Sequence, residues 1–180
     1  MKKTFVVSVS GISGGGKTTV SEELSKKLPN ATALYFDEYD FDKQPDHLGE
    51  WIDGGSGSDA WDLSPLQKGI ERILASSDYD FLILDYPFGK KDYPIKPYID
   101  LAVWIDTPLD IALARRIIRD FGNATAEEIL NELSGYVARY RKYFIQSPED
   151  RKAYDFVVDG ALSVNEICEK IMCKIREVYQ

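Results

Sequence analysis

Short runs of uniformly apolar residues alternate along this chain with stretches whose apolar residues recur every three or four positions. The first run, residues 4–9, is β-rich and ends at Gly11. After it, Val20, Leu24 and Leu28 form one helical stripe that stops at Pro29-Asn30. Residues 31–36 predict a second short strand. Ser64-Pro65-Leu66-Gln67 reads as a helix start, with Ser64 as N-cap and Gln67 reaching back. Leu66, Ile70, Ile73 and Leu74 supply that helix's buried face. Residues 81–84 and 101–105 predict buried strands, each ending in an acid, Asp85 and Asp106. Thr107-Pro108 predicts the cap of a helix with Ile111, Leu113, Ala114 and Ile118 inward, closed by Phe121-Gly122-Asn123. A capping box at Thr125-Ala126-Glu127-Glu128 opens a helix facing Leu130, Leu133, Val137, Tyr140 and Phe144 inward. Residues 156–158 predict a last strand. Ser163 and Glu166 cap a terminal helix with Ile167, Ile171, Ile175 and Val178 inward.

Strands that are apolar throughout, alternating with amphipathic helices, predict a parallel sheet covered on both faces. The expectation is a three-layer α/β fold in a single domain, residues 1–180, with no internal repeat and no linker. Ligands in such sheets sit at the carboxyl ends of the strands. The Gly-rich turn, Asp37 and Asp85 all fall there. The stretch 37–62, polar and aromatic without periodicity, is long for a structureless loop and is expected to bind substrate.

Net charge is −8, which argues against nucleic acid as the main partner, since backbone binding needs clustered cations. A site for a polyanion must then be locally basic. No apolar run approaches bilayer length, so no membrane partner is expected. The start, Met1-Lys2-Lys3, runs directly into the first strand and turn rather than into a signal peptide, and a cytoplasmic location is expected. Cys168 and Cys173 lie five apart on one helix, badly placed to bridge, and read as inert, buried or half-buried thiols. A single histidine, His47, nearly excludes a histidine metal cluster or a Ser-His-Asp triad.

Gly11-Ile12-Ser13-Gly14-Gly15-Gly16-Lys17-Thr18 matches the pattern G-x-x-x-x-G-K-[ST] at every fixed position, between a strand and a helix. Backbone amides of Ser13, Gly14, Gly15, Gly16, Lys17, Thr18 and Thr19 are the expected cradle for ATP phosphates, with the helix N-terminus adding positive potential. Lys17 is expected on the β- and γ-phosphates, and the Thr18 hydroxyl on Mg²⁺. Asp85, at the end of an apolar strand, is the expected second Mg²⁺ contact. Asp37 is placed to take a proton from an acceptor hydroxyl, with Glu38 its nearest rival. Arg115, Arg116 and Arg119 form a cationic lid, about residues 115–125: Arg115 toward ATP, Arg116 and Arg119 toward charge developing in transfer. Tyr39 and Trp61, with Tyr35, Phe41 and Trp51, read either as a platform for a base or sugar or as anchors of their own loop. The guanine-reading N-K-x-D pattern of GTPases is absent.

Together these residues resemble the uridine-kinase-like branch of small-molecule P-loop kinases. The phosphate loop Gly11 to Thr19 and Asp37 carry the likeness. So do Asp59-Ala60-Trp61-Asp62, Asp106-Thr107-Pro108 leading to Arg115-Arg116 and Arg119-Asp120, Gln146-Ser147-Pro148, and Asp155-Phe156-Val157-Val158. Two departures stand out. Asp85-Tyr86 replaces the family's Glu-Gly, and only residues 70–80 fill the space where the family inserts a base-binding hairpin. The resemblance implies a five-stranded sheet in the order 2-3-1-4-5. It also implies transfer from ATP, with Mg²⁺, to a small-molecule hydroxyl, a nucleoside leading. A nucleoside monophosphate or another small metabolite is the alternative acceptor, and a nucleotide-binding regulator the alternative class. A homodimer is compatible with the resemblance.

Overall fold

The computed structural model describes residues 4–46, 48–54, 60–91, 94–145 and 151–179. Met1–Lys3, His47, Asp59 of the Asp-Ala-Trp-Asp segment and Gln146-Ser147-Pro148 lie outside the described residues. Five strands, β1 (Phe5–Gly11), β2 (Ala31–Tyr35), β3 (Phe81–Asp85), β4 (Leu101–Asp106) and β5 (Phe156–Asp159), form one sheet in the order β2-β3-β1-β4-β5. Each pairing is parallel, and register places Val9 beside Asp85 and Gly11 beside Ile105. The helices are α1 (Lys17–Lys27), α2 (Leu48–Asp53), α3 (Ser64–Ser76), α4 (Leu109–Asp120), α5 (Ala126–Gly135) and α6 (Val164–Val178).

Because side chains alternate across a strand, each strand feeds two cores. Val7, Val9, Ile83, Val103 and Ile105 pack against Val20 and Leu24 of α1 and Ile167, Cys168, Ile171 and Ile175 of α6. Val6, Leu82, Leu84 and Ala102 face the other way, onto Leu66 and Ile70 of α3 and an aromatic group from the connecting loops. The central strands are buried on both faces, which is why they read as unbroken apolar runs. The connection after β1 runs to β2 on one side and the connection after β4 runs to β5 on the other, opening a crevice at the carboxyl ends of these central strands.

Several local expectations give way to tertiary contacts. Leu63, not Ser64, is the N-cap of α3, and Asp62 just before it accepts from the Ser64 backbone N–H (3.0 Å) and also from its hydroxyl. Gln67 turns instead to Glu71 (3.0 Å) and Tyr98 (3.1 Å). Thr107 caps no helix: its hydroxyl donates to the Gly15 carbonyl at 2.9 Å, bracing the Gly-rich turn from β4. On α4 the buried residue is Ala112, whereas Ala114 and Ile118 are exposed. The backbone of α4 lies so close to the turn that a Cβ on Gly14 would collide with the Ala112 carbonyl, and this contact sets the helix rotation. After α5 the chain widens into a π-turn at Tyr136–Tyr140 and then a 3-10 turn at Arg141–Phe144. Tyr136 turns inward there and Val137 is 75% exposed, while Leu130, upstream in α5, is already 63% exposed, against the single inward stripe expected. Val178 is also exposed, and Cys168 takes the inward place on α6. Cys173 is exposed, while burial pushes the Cys168 thiol up to about 11. Among the described residues no helix is long and apolar enough to cross a membrane.

Candidate active site

The loop between β1 and α1 is built by backbone geometry. Gly14 and Gly16 sit at φ 78° and 91°, in the left-handed region that side chains disfavour. The Gly15 N–H donates to the Ile12 carbonyl at 2.9 Å, closing the turn, and α1 starts at Lys17 with no side-chain cap. Its first free N–H groups therefore face the crevice, as a phosphate cradle requires. Arg115, reaching across from α4, places a guanidinium nitrogen 3.8 Å from where a Gly16 Cβ would stand.

Lys17 folds back with Nζ 3.4 Å from the Ile12 carbonyl oxygen. Burial pushes its ammonium below the usual lysine range, and the nearby carboxylates of Asp85 and Asp37 oppose that shift. An arriving phosphate would supply the counter-charge that burial withholds. One residue on, the Thr18 hydroxyl donates to Asp85 Oδ2 at 2.6 Å. Burial raises the Asp85 carboxyl above its ordinary value, more than the Thr18 hydrogen bond and Lys17 lower it.

Asp37 and Glu38 lie in a 3-10 turn, Phe36–Glu38, that directly follows β2. Phe36 anchors the turn by packing on Phe41 (4.7 Å between ring centres), Trp61 (5.3 Å) and Phe88 (5.7 Å). Thr18, Glu22, Tyr35, Asp37, Glu38 and Asp85 line one cavity of ≈ 210 Å³. The predicted phosphate-side and acceptor-side residues thus meet in a single space. Of the other residues in its wall, Tyr35 was among the aromatic residues read as a platform or as loop anchors, whereas Glu22 was not singled out. Glu22 was legible, since four residues past Thr18 on a helix is the same face.

The arginines separate. Arg119 lies close enough for Asp37 and Lys17 to feel its charge, while its guanidinium holds Asp120 at 2.6 and 2.9 Å. Arg116 Nη2 pairs with Glu132 of α5 at 2.5 Å, and its guanidinium carbon lies 5.9 Å from the ring centres of Tyr136 and Phe144. Tyr39 and Trp61 sit in the aromatic group, Tyr39 stacked on Phe41 and its hydroxyl against Gly69, Trp61 against Trp51 at 5.9 Å. Both therefore brace the acceptor loop.

The chain is similar along nearly its whole length to curated uridine kinases. That of Streptococcus pyogenes serotype M5 (strain Manfredo) is 24% identical, with 99% of this chain and 100% of the relative aligned. That of Brevibacillus brevis is 27% identical over 88% of this chain and 85% of the relative. Among solved structures, a gluconokinase from Sinorhizobium meliloti 1021 superposes with TM-score 0.57 at 17% identity, covering 98% of this chain and 94% of that one. A possible uridine kinase from Bacillus stearothermophilus also gives 0.57, at 19% identity, covering 88% and 90%. No family model matches. The expected sheet order is borne out, and the likeness to uridine-kinase-like P-loop kinases is carried by sequence and fold alike. The chain is an ATP-dependent phosphotransferase of the small-metabolite kinase type.

Proposed function

We propose that the chain transfers the γ-phosphoryl group of ATP, with Mg²⁺, to a hydroxyl of a small metabolite, most simply a nucleoside. The observation that carries this reading is the shared cavity, in which Asp37 faces the Thr18–Asp85 pair beside the phosphate loop. The loop amides from Ser13 to Thr19, Lys17 and Arg115 hold the triphosphate. A hydroxyl and a carboxylate are hard oxygen donors that suit Mg²⁺, which keeps waters and phosphate oxygens as its other ligands. Among the described residues no cluster of three acidic, histidine or cysteine side chains could hold a metal by itself, in keeping with a metal carried in on ATP. When bound, Mg²⁺ offsets phosphate charge as transfer proceeds.

Asp37 accepts the proton of the acceptor hydroxyl as that oxygen bonds to the γ-phosphorus and the bond to the β-phosphate oxygen breaks. ADP leaves with the bonding electron pair. Arg119 stands beside this exchange, and Arg116 joins it when Glu132 releases its guanidinium. A phosphorylated acceptor fits less well, since Lys43 is the sole lysine or arginine between residues 37 and 62.

The deciding experiment incubates the protein with ATP, Mg²⁺ and a panel of nucleosides, polyols and sugar acids, reading phosphorylated product by mass spectrometry. Lys17→Ala, shown folded by circular dichroism, is the control that should make no product. ATP binding with no product from any acceptor would favour a nucleotide-dependent regulator.

A further inference from the structure

Four carboxylates line the cavity, from Glu22, Asp37, Glu38 and Asp85, and among the described residues no lysine or arginine does. Asp37 and Asp85 have work in the proposed reaction; Glu22 and Glu38 have none. Glu22 comes from α1 and Glu38 from the turn after β2, so two separate elements bring these acids to one space. Between them stands Tyr35. Its phenol is pushed up by burial first and then by Glu22, Glu38 and Asp85, which all lie around it. The cations nearby act mainly elsewhere: Lys17 and Arg115 are directed at the phosphate loop, with Lys17 countering Asp85 and Asp37, and Arg119, whose charge reaches Asp37, is held by Asp120.

We infer, resting on the kinase reading above, that Glu22 and Glu38 select the charge of the acceptor. The site takes a hydroxyl compound bearing an amine or a cationic ring ahead of a neutral one, and rejects one bearing a carboxylate or phosphate. The reason is additive repulsion. An anionic acceptor meets the two glutamates and also the net negative charge of Mg²⁺-bound ATP. Both glutamates are exposed, so their field acts through partly screened solvent. Across about 6 Å of water-like dielectric one carboxylate is worth about tenfold in preference between ligands of opposite charge. A sugar-acid acceptor, the option that likeness to a gluconokinase raises, is disfavoured by the same wall.

The test varies charge on two scaffolds. Uridine, 5-aminomethyluridine and orotidine share a sugar and differ in charge; ribitol, 1-amino-1-deoxyribitol and ribonate do the same without a base. The expected kcat/KM order is cation, neutral, anion, with cation over anion by about a hundredfold at low ionic strength. Glu22→Gln should shrink that ratio about tenfold, Glu38→Gln similarly, and Glu22→Lys should bring the anionic members up toward the neutral ones. Added salt should compress the wild-type ratio. Equal ratios in wild type and both glutamine variants, or an anion as good as its neutral partner, overturn the inference. Should none of the six accept phosphoryl while ATP still binds, the fault lies with the acceptor reading. Calorimetric titration of the six into the protein loaded with AMP-PNP and Mg²⁺ then reads the charge order alone. Binding in that order sustains the inference; binding without it, or no binding, overturns it.

Discussion

Thr18 donates its hydroxyl hydrogen to Asp85 across 2.6 Å, joining the first turn of α1 to the carboxyl end of β3. The two residues lie 67 positions apart and meet because β1 and β3 are parallel neighbours, with Val9 opposite Asp85. In the proposed reaction this hydroxyl and carboxylate, held together beside the phosphate loop, are the edge that contacts Mg²⁺. Asp85→Asn keeps an oxygen for Thr18 but loses the charge. Its turnover should fall at low Mg²⁺ and recover partly as Mg²⁺ is raised, whereas wild type saturates early. A Mg²⁺ titration of initial rate checks this; parallel curves would remove Asp85 from the metal site.

Asp37 faces the same edge from the turn after β2. Asp37→Asn preserves size and most hydrogen bonding but cannot take a proton. ATP affinity should stay within about threefold while kcat falls a hundredfold to ten-thousandfold, the usual worth of a positioned general base. Glu38→Gln measured in parallel should keep most of its kcat. A large loss at Glu38 with little at Asp37 would move the base by one residue.

The lid arginines should differ. Arg119→Ala is expected to lower kcat by about a hundredfold or more with little change in ATP binding, because its charge acts where charge develops. Arg116→Ala should cost at least tenfold more turnover than Glu132→Ala, since the glutamate only parks the guanidinium. Equal losses in the two variants and in their double variant would show that Arg116 acts solely by holding α5.

The two thiols are chemically unlike. Cys168 is buried, its Sγ 3.9 Å from the Val20 carbonyl, and burial raises its thiol to about 11, so it stays protonated at pH 8. Cys173 is exposed on the same helix. Iodoacetamide at pH 8 should label Cys173 within minutes and leave Cys168 untouched until denaturant is added, as peptide mass spectrometry would show.

Features encoded by contiguous residues are legible in the chain alone. The glycines, Lys17 and Thr18 define a phosphate cradle at fixed spacing, because the turn and the helix start are contiguous in the chain. The apolar strands declare a doubly covered sheet, and the capping boxes at Thr125 and Ser163 start their helices where expected. Tertiary structure decided what depends on distant neighbours. The rotation of α4 follows from the Gly14–Ala112 approach, which no periodicity on α4 encodes. The π-turn after α5 brings Tyr136 and Phe144 to Arg116 and spoils a stripe that looked continuous. Tyr39 and Trp61 became props for the acceptor loop because Phe36, Phe41 and Phe88 assemble around them from separate segments. Glu22 shares the Thr18 face of α1 by local spacing, but it and Tyr35 line one cavity with Asp37 and Asp85 only because β2 lies beside β3.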